Sequence, residues 1–175
     1  MLSMRVFIMG SSGAGKTHLA QALSLQLRLP HLELDSLRHQ ANWQPLPNHD
    51  FRNRVAAFCS ADSWIVDGNY SQVRDLVLSR ATDVILLDYP KRIVMSRLIW
   101  RSLTRVVLRK PLWNGNRESL RYLLSSDPEL NVLLWSWSNF ERRRQEFDDL
   151  ESATFNIRRV KHPHDIAELK KLISK

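Results

Sequence analysis

The chain has 175 residues, a length that suits one domain, and its 43% hydrophobic and 25% charged residues are ordinary for a globular protein. A single cysteine, Cys59, excludes an internal disulfide, and the sequence shows neither a membrane-spanning apolar run nor a signal-peptide pattern, so we expect a cytoplasmic protein with no membrane partner. The formal net charge of +8 favours an anionic partner, a class that includes nucleic acid, acidic membranes and phosphorylated small molecules.

Apolar runs alternate with helical patterns along the chain. The sequence predicts strands at Arg5–Met9, His31–Asp35, Trp64–Asp67, Val84–Asp88 and, more weakly, Thr154–Arg158. It predicts helices at Lys16–Arg28, Asp50–Ser60, Val73–Leu78, Lys91–Leu108, Arg117–Ser125, Pro128–Asp149 and His164–Ile173, with loops at 42–48 and 111–116. Strands separated by helices imply right-handed crossovers and a parallel sheet covered on both faces.

The segment GSSGAGKT follows the first predicted strand and opens the first predicted helix, and it fits the Walker A pattern Gly-x-x-x-x-Gly-Lys-Thr. Successive backbone N–H groups in such a loop form an anion nest, to which the helix N-terminus adds about half a positive charge. We expect Lys16 to reach the terminal phosphates of ATP and the Thr17 hydroxyl to bind Mg²⁺. The predicted nucleotide-binding residues are Gly10, Ser11, Ser12, Gly13, Ala14, Gly15, Lys16, Thr17 and His18.

This motif in an alternating pattern predicts an α/β protein with the P-loop NTPase fold. The expected architecture is a three-layer α/β/α sandwich with a five-stranded parallel sheet and a helical lid region, in one domain spanning residues 1–175.

A second constellation resembles the nucleoside monophosphate kinases. The segment that begins at Asp88, DYPKRIVMSRLIWR, is similar to the adenylate kinase pattern Asp-x-Pro followed by two arginines one helical turn apart, which Arg97 and Arg101 match. The resemblance implies that this pair binds the donor nucleotide and its transferring phosphoryl group. Asp67 and Gly68 resemble the Asp-Gly that ends the third strand, whose aspartate orients Mg²⁺ through water. Asp88 is the alternative metal-binding aspartate, because it ends an apolar strand as in a Walker B motif.

Longer segments resemble a bacterial group of small P-loop kinases often labelled DNA topology modulation protein or adenylate kinase-like protein. They are LELDSLRHQANWQPLP, WIVDGNYSQVRD and LWNGNRESL, and the resemblance extends to about Arg144. It implies Mg²⁺-dependent phosphoryl transfer from ATP to a small-molecule acceptor. The adenylate kinase acceptor signature Gly-Phe-Pro-Arg becomes Gly68-Asn69-Tyr70-Ser71 here, which argues against AMP as the acceptor.

The acceptor is expected to contact residues that follow the second and third strands. Asp35-Ser-Leu-Arg38 resembles an Asp-x-x-Arg whose arginine holds the acceptor phosphate. Asp35 is either a general base toward an acceptor hydroxyl, as in sugar- and shikimate-type kinases, or a group that orients the acceptor or a Mg²⁺-bound water. Aromatic rings can stack on a base, and Arg74 can hold phosphate. The predicted substrate-binding residues are Asp35, Arg38, Trp43, Asp67, Gly68, Tyr70 and Arg74.

The acceptor-binding insertion is predicted at about residues 36–62 and the lid at about 105–121. Arg117 follows a Gly/Asn-punctuated loop that is expected to fold over the donor. The residues predicted to act in transfer are Lys16, Asp35, Arg97, Arg101 and Arg117, and the predicted metal ligands are Thr17 and Asp67.

Basic residues concentrate between Lys91 and Arg121, where we count nine against a single acid, Glu118. This surplus keeps a nucleotide-dependent nucleic-acid-binding protein as an alternative, ranked lower because no helix-turn-helix or zinc-finger pattern is present. An ATP-binding sensor without transfer is a third hypothesis. The run Glu141–Arg144 is typical of a solvated helix face. The leading interpretation is a Mg²⁺- and ATP-dependent kinase of the nucleoside monophosphate kinase type, with its oligomeric state left open.

Overall fold

A parallel β-sheet forms the centre of the protein in the computed structural model, which describes residues 3–128, 130–151 and 156–173. The strands are β1 (Arg5–Gly10), β2 (His31–Glu33), β3 (Trp64–Asp67), β4 (Asp83–Leu87) and β5 (Asn156–Val160). They lie in the order β2-β3-β1-β4-β5, and every pairing is parallel. The five-stranded parallel sheet predicted from the alternating pattern is therefore confirmed.

Nine α-helices lie within the described ranges. They are α1 (Lys16–Leu27), α2 (Leu34–Arg38), α3 (Asn48–Cys59), α4 (Ser71–Leu78), α5 (Lys91–Val107), α6 (Leu120–Leu123), α7 (Val132–Ser138), α8 (Phe140–Glu151) and α9 (Ile166–Ile173). Short 3-10 turns occur at Ala41–Trp43, Trp113–Gly115 and Pro163–Asp165. Within the same ranges, no helix combines the length and the apolar character needed to span a bilayer.

Two hydrophobic cores cover the two faces of the sheet, because successive strand side chains point to opposite sides. On β1, Val6 and Ile8 pack with α1, α9 and the start of α5. Phe7 and Met9 pack on the other face with α2, α3, α4 and Phe147 of α8. Since all four of these β1 side chains are fully buried, β1 reads in the sequence as a continuous apolar run.

The second predicted strand is shorter than expected, and this moves one candidate site residue. β2 ends at Glu33, and Asp35 lies in the first turn of α2 rather than at the end of a strand. The turn is favoured locally because the Ser36 hydroxyl donates to the Glu33 carbonyl at 2.7 Å. Leu34 is buried in the core below it, so Asp35 emerges above the carboxyl edge of the sheet.

The predicted helix Pro128–Asp149 is wrong as a single element. Asn131 caps a new helix by accepting from the backbone N–H groups of Leu133 and Leu134, and Asn139 separates α7 from α8. The chain turns at Asn139 so that Phe140 enters the core. The break therefore follows from a side-chain cap and a buried aromatic ring.

Further boundaries differ from the sequence prediction. The helix expected at Arg117–Ser125 is the single turn α6, which Ser119 caps, and α9 begins at Ile166 after a 3-10 turn. β5 runs two residues beyond the predicted end, and predicted residues 154 and 155 lie outside the described ranges. Cys59 is buried, and burial raises the pKa of its thiol to about 11.

The carboxyl ends of the central strands bring the candidate site residues together. In the sheet register, Ile8 of β1 lies beside Asp67 of β3, and Gly10 lies beside Leu87 of β4. The glycine-rich loop, Asp67 and Asp88 therefore share one edge of the sheet, which is the edge where open α/β sheets bind ligands.

The core packing of α1 gives a matched test of the fold. Leu23 is fully buried, whereas Leu25 on the same helix is 82% exposed. We expect Leu23→Ala to lower the free energy of unfolding by about 2–5 kcal/mol, because it loses apolar burial and leaves a cavity. Leu25→Ala is expected to change it by less than about 0.5 kcal/mol. Urea denaturation of both variants measures the difference, and similar losses for the two would contradict this placement of α1.

Candidate functional site

The loop of residues 10–17, called the phosphate loop below, packs tightly on one side and is open on the other. Gly13 (φ +88°) faces α5, where an added Cβ would lie 2.8 Å from the Val94 carbonyl oxygen and 3.0 Å from Leu98 Cβ. Gly15 (φ +95°) precedes α1, and an added Cβ there would meet no atom within 4 Å. The backbone N–H groups at the start of α1 therefore border open space, as an anion site at a helix N-terminus requires.

The other predicted loop residues surround this opening to different degrees. Ser11 and Ala14 are buried, Ser12 is half-buried, and His18 is exposed on α1. Lys16 reaches back across the loop, and its Nζ donates to the Ser11 carbonyl at 3.2 Å. Burial lowers the pKa of Lys16, while the nearby carboxylates of Asp35 and Asp67 oppose that shift.

Two carboxylates converge on the Thr17 hydroxyl. Thr17 Oγ1 lies 3.1 Å from Asp67 Oδ1 and 3.1 Å from Glu33 Oε1, so its single proton serves one acceptor at a time. Asp67 is 1% exposed, and its Oδ2 lies 2.8 Å from His31 Nε2. The sequence prediction paired Thr17 with Asp67, and the structure brings these two together.

Glu33 is a site residue that the sequence prediction missed. Burial raises the pKa of Glu33, and the charges of Asp67 and Asp35 raise it further. The interaction with the Trp113 side chain lowers it and so opposes that shift. The signal was present, because Glu33 ends an apolar strand two residues before Asp35 and at the same sheet edge as Asp67.

Asp88, the alternative metal-binding aspartate, forms ion pairs with two arginines. Its Oδ2 accepts from Arg159 at 2.8 Å, and its Oδ1 lies 3.3 Å from Arg144 Nε. Asp88 is only 6% exposed, so this paired carboxylate fastens α8 and β5 to the end of β4. Asp67 is therefore the better candidate for a metal ligand.

A hydrogen-bonded chain links Asp35, Tyr70 and His39, three residues that follow β2 and β3. The Tyr70 hydroxyl donates to Asp35 Oδ1 at 2.6 Å and lies 3.2 Å from His39 Nε2. Burial and the Asp35 charge raise the pKa of Tyr70, so it remains a hydrogen-bond donor at neutral pH. Burial lowers the pKa of His39, which favours the neutral imidazole. These contacts hold one oxygen of Asp35 and leave the other for a ligand.

The two predicted phosphate-holding arginines of the acceptor side have protein partners. Arg38 donates to the Leu46 carbonyl and, at 2.9 Å, to Asn48 Oδ1, and so ties the loop after α2 to the start of α3. Arg74 donates to Asn69 Oδ1 at 2.9 Å and forms an ion pair with Glu146 at 2.8 Å. Gly68 (φ +138°) lets the end of β3 approach α2, because an added Cβ would lie 2.7 Å from Leu34 Cβ.

The predicted transfer arginines occupy different environments. Burial lowers the pKa of Arg101 to about 10, the charge of Arg105 adds to that shift, and the carboxylates of Glu118, Asp35 and Glu33 oppose it. Arg97 is exposed and lies over the Tyr89 ring, with 5.5 Å from its Cζ to the ring centroid. Arg117 is exposed, and its carbonyl accepts from Trp43 Nε1 at 3.3 Å. The loop of residues 113–117 therefore lies on residues 36–43, whereas the sequence prediction placed the lid over the donor.

Arg143 of α8 reaches the phosphate loop, which the solvated-face interpretation of Glu141–Arg144 did not predict. Arg143 is 7% exposed, its Nη1 donates to the Gly10 carbonyl at 3.4 Å, and its guanidinium lies over the Trp135 ring at 5.2 Å. Burial lowers its pKa, and its charge acts on Lys16. Phe140, Arg143 and Phe147 share the buried face at helical spacing, which is the signal that identifies it.

The basic stretch from Lys91 to Arg121 does not form one continuous polar face. Arg101 turns into the site, and Arg105 pairs with Glu118 at 2.7 Å. Large apolar side chains share the outer surface of α5: Ile99, Trp100, Leu103 and Val107 are exposed. The basic residues of this stretch therefore do not form one uninterrupted cationic surface.

The whole structure is similar to solved structures of small-molecule kinases. Shikimate kinase from Bacteroides thetaiotaomicron gives a TM-score of 0.54 at 16% identity, covering 97% of this chain and 95% of its own. Shikimate kinase from Aquifex aeolicus gives a TM-score of 0.56 at 16% sequence identity, and the match covers 97% of this chain and 93% of that one. A gluconokinase from Sinorhizobium meliloti gives a TM-score of 0.56 at 15% identity, and the match covers 99% of this chain and 91% of that one. No protein-family model and no curated protein sequence matches the chain.

At these identities the similarity establishes the fold alone. The fold is the three-layer α/β/α arrangement of the P-loop kinases, and this confirms the fold class predicted from the sequence.

The position of Arg143 can be tested against its neighbour on α8. Arg142 has a side chain that is 67% exposed, whereas Arg143 lies against the phosphate loop. We expect Arg143→Met to weaken binding of the ATP analogue AMPPNP by about tenfold or more, because a buried guanidinium is lost beside the phosphate site. Arg142→Met is expected to stay within about twofold of the wild type. Calorimetric titration measures both, and equal effects would argue against a role for Arg143 at the phosphates.

Proposed function

We propose that the protein is an ATP- and Mg²⁺-dependent phosphotransferase that phosphorylates a hydroxyl group of a small molecule. The observation that carries this proposal is the position of the Asp35 carboxylate, which Tyr70 holds at 2.6 Å and whose charge acts on Lys16 of the phosphate loop. A proton acceptor thus faces the cation that binds the terminal phosphates in loops of this kind.

The donor is expected to bind with its phosphates over the open start of α1. Backbone N–H groups after Gly13 and Gly15 would hold the phosphate oxygens, with Lys16 at the terminal phosphates. Arg101 and Arg143 add positive charge near the loop, since the charge of each acts on Lys16. Several cations around one phosphoryl group stabilise the charge that spreads over it in the transition state.

The oxygen ligands beside the phosphate loop fit Mg²⁺. The Thr17 hydroxyl and the Asp67 carboxylate would hold the ion. The Glu33 carboxylate lies within hydrogen-bond distance of the same Thr17 hydroxyl. Among the described residues, no group of three or more His, Cys, Asp or Glu side chains is arranged to hold a metal. Mg²⁺ bound there would neutralise charge on the β- and γ-phosphates.

The acceptor side favours a hydroxyl over a phosphate group. Asp35, Glu33 and Tyr70 line it with proton acceptors and a hydrogen-bond donor, and the arginines expected to hold an acceptor phosphate are committed elsewhere. Bringing a phosphate dianion next to these carboxylates would cost Coulomb energy, while a neutral hydroxyl can donate to Asp35.

In the proposed reaction Asp35 removes the proton from the acceptor hydroxyl as its oxygen attacks the γ-phosphorus. The bond between that phosphorus and the bridging oxygen breaks, ADP leaves, and the proton stays on Asp35 until solvent removes it. Tyr70 keeps the carboxylate oriented throughout by donating to its other oxygen. General-base assistance of this type contributes about 10²–10⁴-fold in rate.

Removing the phosphate-loop cation tests the donor half of the proposal. We expect Lys16→Ala to abolish ADP formation with a panel of polyols, sugars, sugar acids, nucleosides and nucleoside monophosphates, while thermal unfolding stays cooperative. The control is Lys171→Ala, an exposed lysine on α9. Full activity in Lys16→Ala would refute the assignment. ATP binding without ADP release for any compound would identify the sensor alternative.

Replacing the carboxylate tests the acceptor half. Asp35→Asn keeps the shape of the side chain and removes its capacity as a base, so kcat is expected to fall by about 10²-fold or more with a hydroxyl acceptor. AMPPNP affinity should change little, and the exposed residue Asp62 supplies the control Asp62→Asn. If Asp35→Asn retained full kcat, the base role would be wrong and a phosphate acceptor would be favoured.

A further inference from the structure

Two sequence motifs that the proposed mechanism leaves unexplained lock together in the structure. One is the acceptor segment, residues 36–43, and the other is the lid loop, residues 113–117. Asn114 Nδ2 donates to the carbonyl of His39 at 2.6 Å and lies 3.3 Å from that of Ser36. Asn116 Nδ2 donates to the Gln40 carbonyl at 2.8 Å. We call this set of contacts the clasp.

Asn116 is the central residue of the clasp. Its side-chain oxygen accepts from the backbone N–H of Trp43 at 2.9 Å, so both ends of the amide are satisfied by the acceptor segment. Asn116 is 4% exposed, and a buried amide without its partners costs about 1–3 kcal/mol. The clasp is therefore either fully formed or open to water, and a half-formed state is unfavourable.

The backbone of both segments is shaped for this contact. Asn42 (φ 58°, ψ 32°) and Asn114 (φ 55°, ψ 30°) sit in left-handed conformations inside matching 3-10 turns. Asparagine tolerates that region better than other residues with a side chain, so both turns use the residue type that adopts it most cheaply. Each turn presents a tryptophan, Trp43 or Trp113, to the other segment.

Trp113 joins the lid to the acceptor side. Its ring stacks on His39 at 5.7 Å between centroids and meets Trp43 edge-on at 6.4 Å. Its side chain also acts on Glu33, where it opposes the rise in pKa that burial causes. His39 contacts Tyr70, and Tyr70 donates to Asp35. The Trp113 ring therefore packs on the hydrogen-bonded residues that orient the proposed base.

We infer that Trp113 is the roof of the acceptor pocket and determines which acceptors fit, and that the acceptor enters and leaves when the clasp opens. This inference rests on the proposed function and deepens it. The acceptor class is a compact hydroxyl compound with a C–H face that packs on the indole ring while one hydroxyl donates to Asp35. Closing the lid commits the acceptor and excludes water from the transfer step. The clasp contacts do not involve the phosphate loop, and an added Cβ at Gly15 would meet no atom within 4 Å.

The test measures acceptor and donor binding separately and without transfer. Calorimetry gives the Kd of each hydroxyl compound in the panel, and of AMPPNP, for the wild type, Trp113→Leu and Asn116→Ala. We expect both variants to raise the Kd of the compounds that bind by about tenfold or more, with AMPPNP within about twofold. Trp100→Leu is the control, because Trp100 is 75% exposed on α5.

A second variant guards against misfolding. Asn114→Gly keeps the left-handed backbone and removes only the side-chain bonds to the acceptor segment. We expect it to speed hydrogen exchange in both segments 36–43 and 113–117 and to weaken acceptor binding in the same direction. Trp113→Phe is expected to change the ratio of affinities among the panel compounds, which loss of stability alone would not do.

Each outcome decides between the two proposals. Unchanged acceptor Kd values in Trp113→Leu and Asn114→Gly, or an equal loss of AMPPNP affinity, overturn the roof and the clasp. The same follows if no hydroxyl compound binds to a wild type that binds AMPPNP. If acceptor binding responds as expected but no ADP forms, the roof stands and the phosphotransferase proposal fails.

Discussion

The charge of Asp35 is the feature on which the site depends. Burial lowers the pKa of Lys16, Arg101, Arg143 and His39, and the Asp35 charge opposes that shift in each of them. Burial raises the pKa of Tyr70 and Glu33, and the Asp35 charge adds to that rise. Burying several cations near one loop is costly unless carboxylates lie close by. Asp35 and Asp67 supply that compensation, so the site can hold its cations in place before a polyanion arrives.

The sheet edge explains why these groups meet. β1 carries the phosphate loop, β2 carries Glu33 and leads directly into Asp35, and β3 ends in Asp67, and all run in the same direction. Helix α8 then brings a cation from a distant part of the chain. Arg144 contacts Asp88 at the end of β4, and its neighbour Arg143 contacts Gly10, so two adjacent residues fasten one helix to both the sheet and the loop. A helix held at two points keeps the Arg143 guanidinium in a fixed position beside Lys16.

The clasp gives the lid a role different from a cover for the donor. Its polar bonds join the lid loop to the acceptor segment, and its aromatic rings continue to His39 and the Tyr70–Asp35 pair. Movement of the lid is thereby tied to the groups around the proposed base. Trp113 and Asn116 belong to a motif that would otherwise have no part in the chemistry.

Local patterns in the sequence were sufficient for the frame of the protein. The buried runs of β1, β3 and β4, the helix of Lys16 to Leu27 and the phosphate loop depend on side-chain periodicity and on glycine, which act within a few residues. The pairing of Thr17 with Asp67 followed from the Walker A motif and from the resemblance of Asp67-Gly68 to the Asp-Gly that ends the third strand in nucleoside monophosphate kinases. The structure changed the interpretation where a contact spans the chain: Arg143 is 133 residues from Gly10, and Asn116 is 73 from Trp43. From the sequence alone, a charged helix face such as Glu141–Arg144 and a loop rich in Gly and Asn both suggest exposure to solvent. The sequence determined which groups are available for phosphate chemistry, and only the packing of α8 and the lid loop onto the sheet edge decided which of them meet, because burial and hydrogen-bond partners are properties of the folded chain.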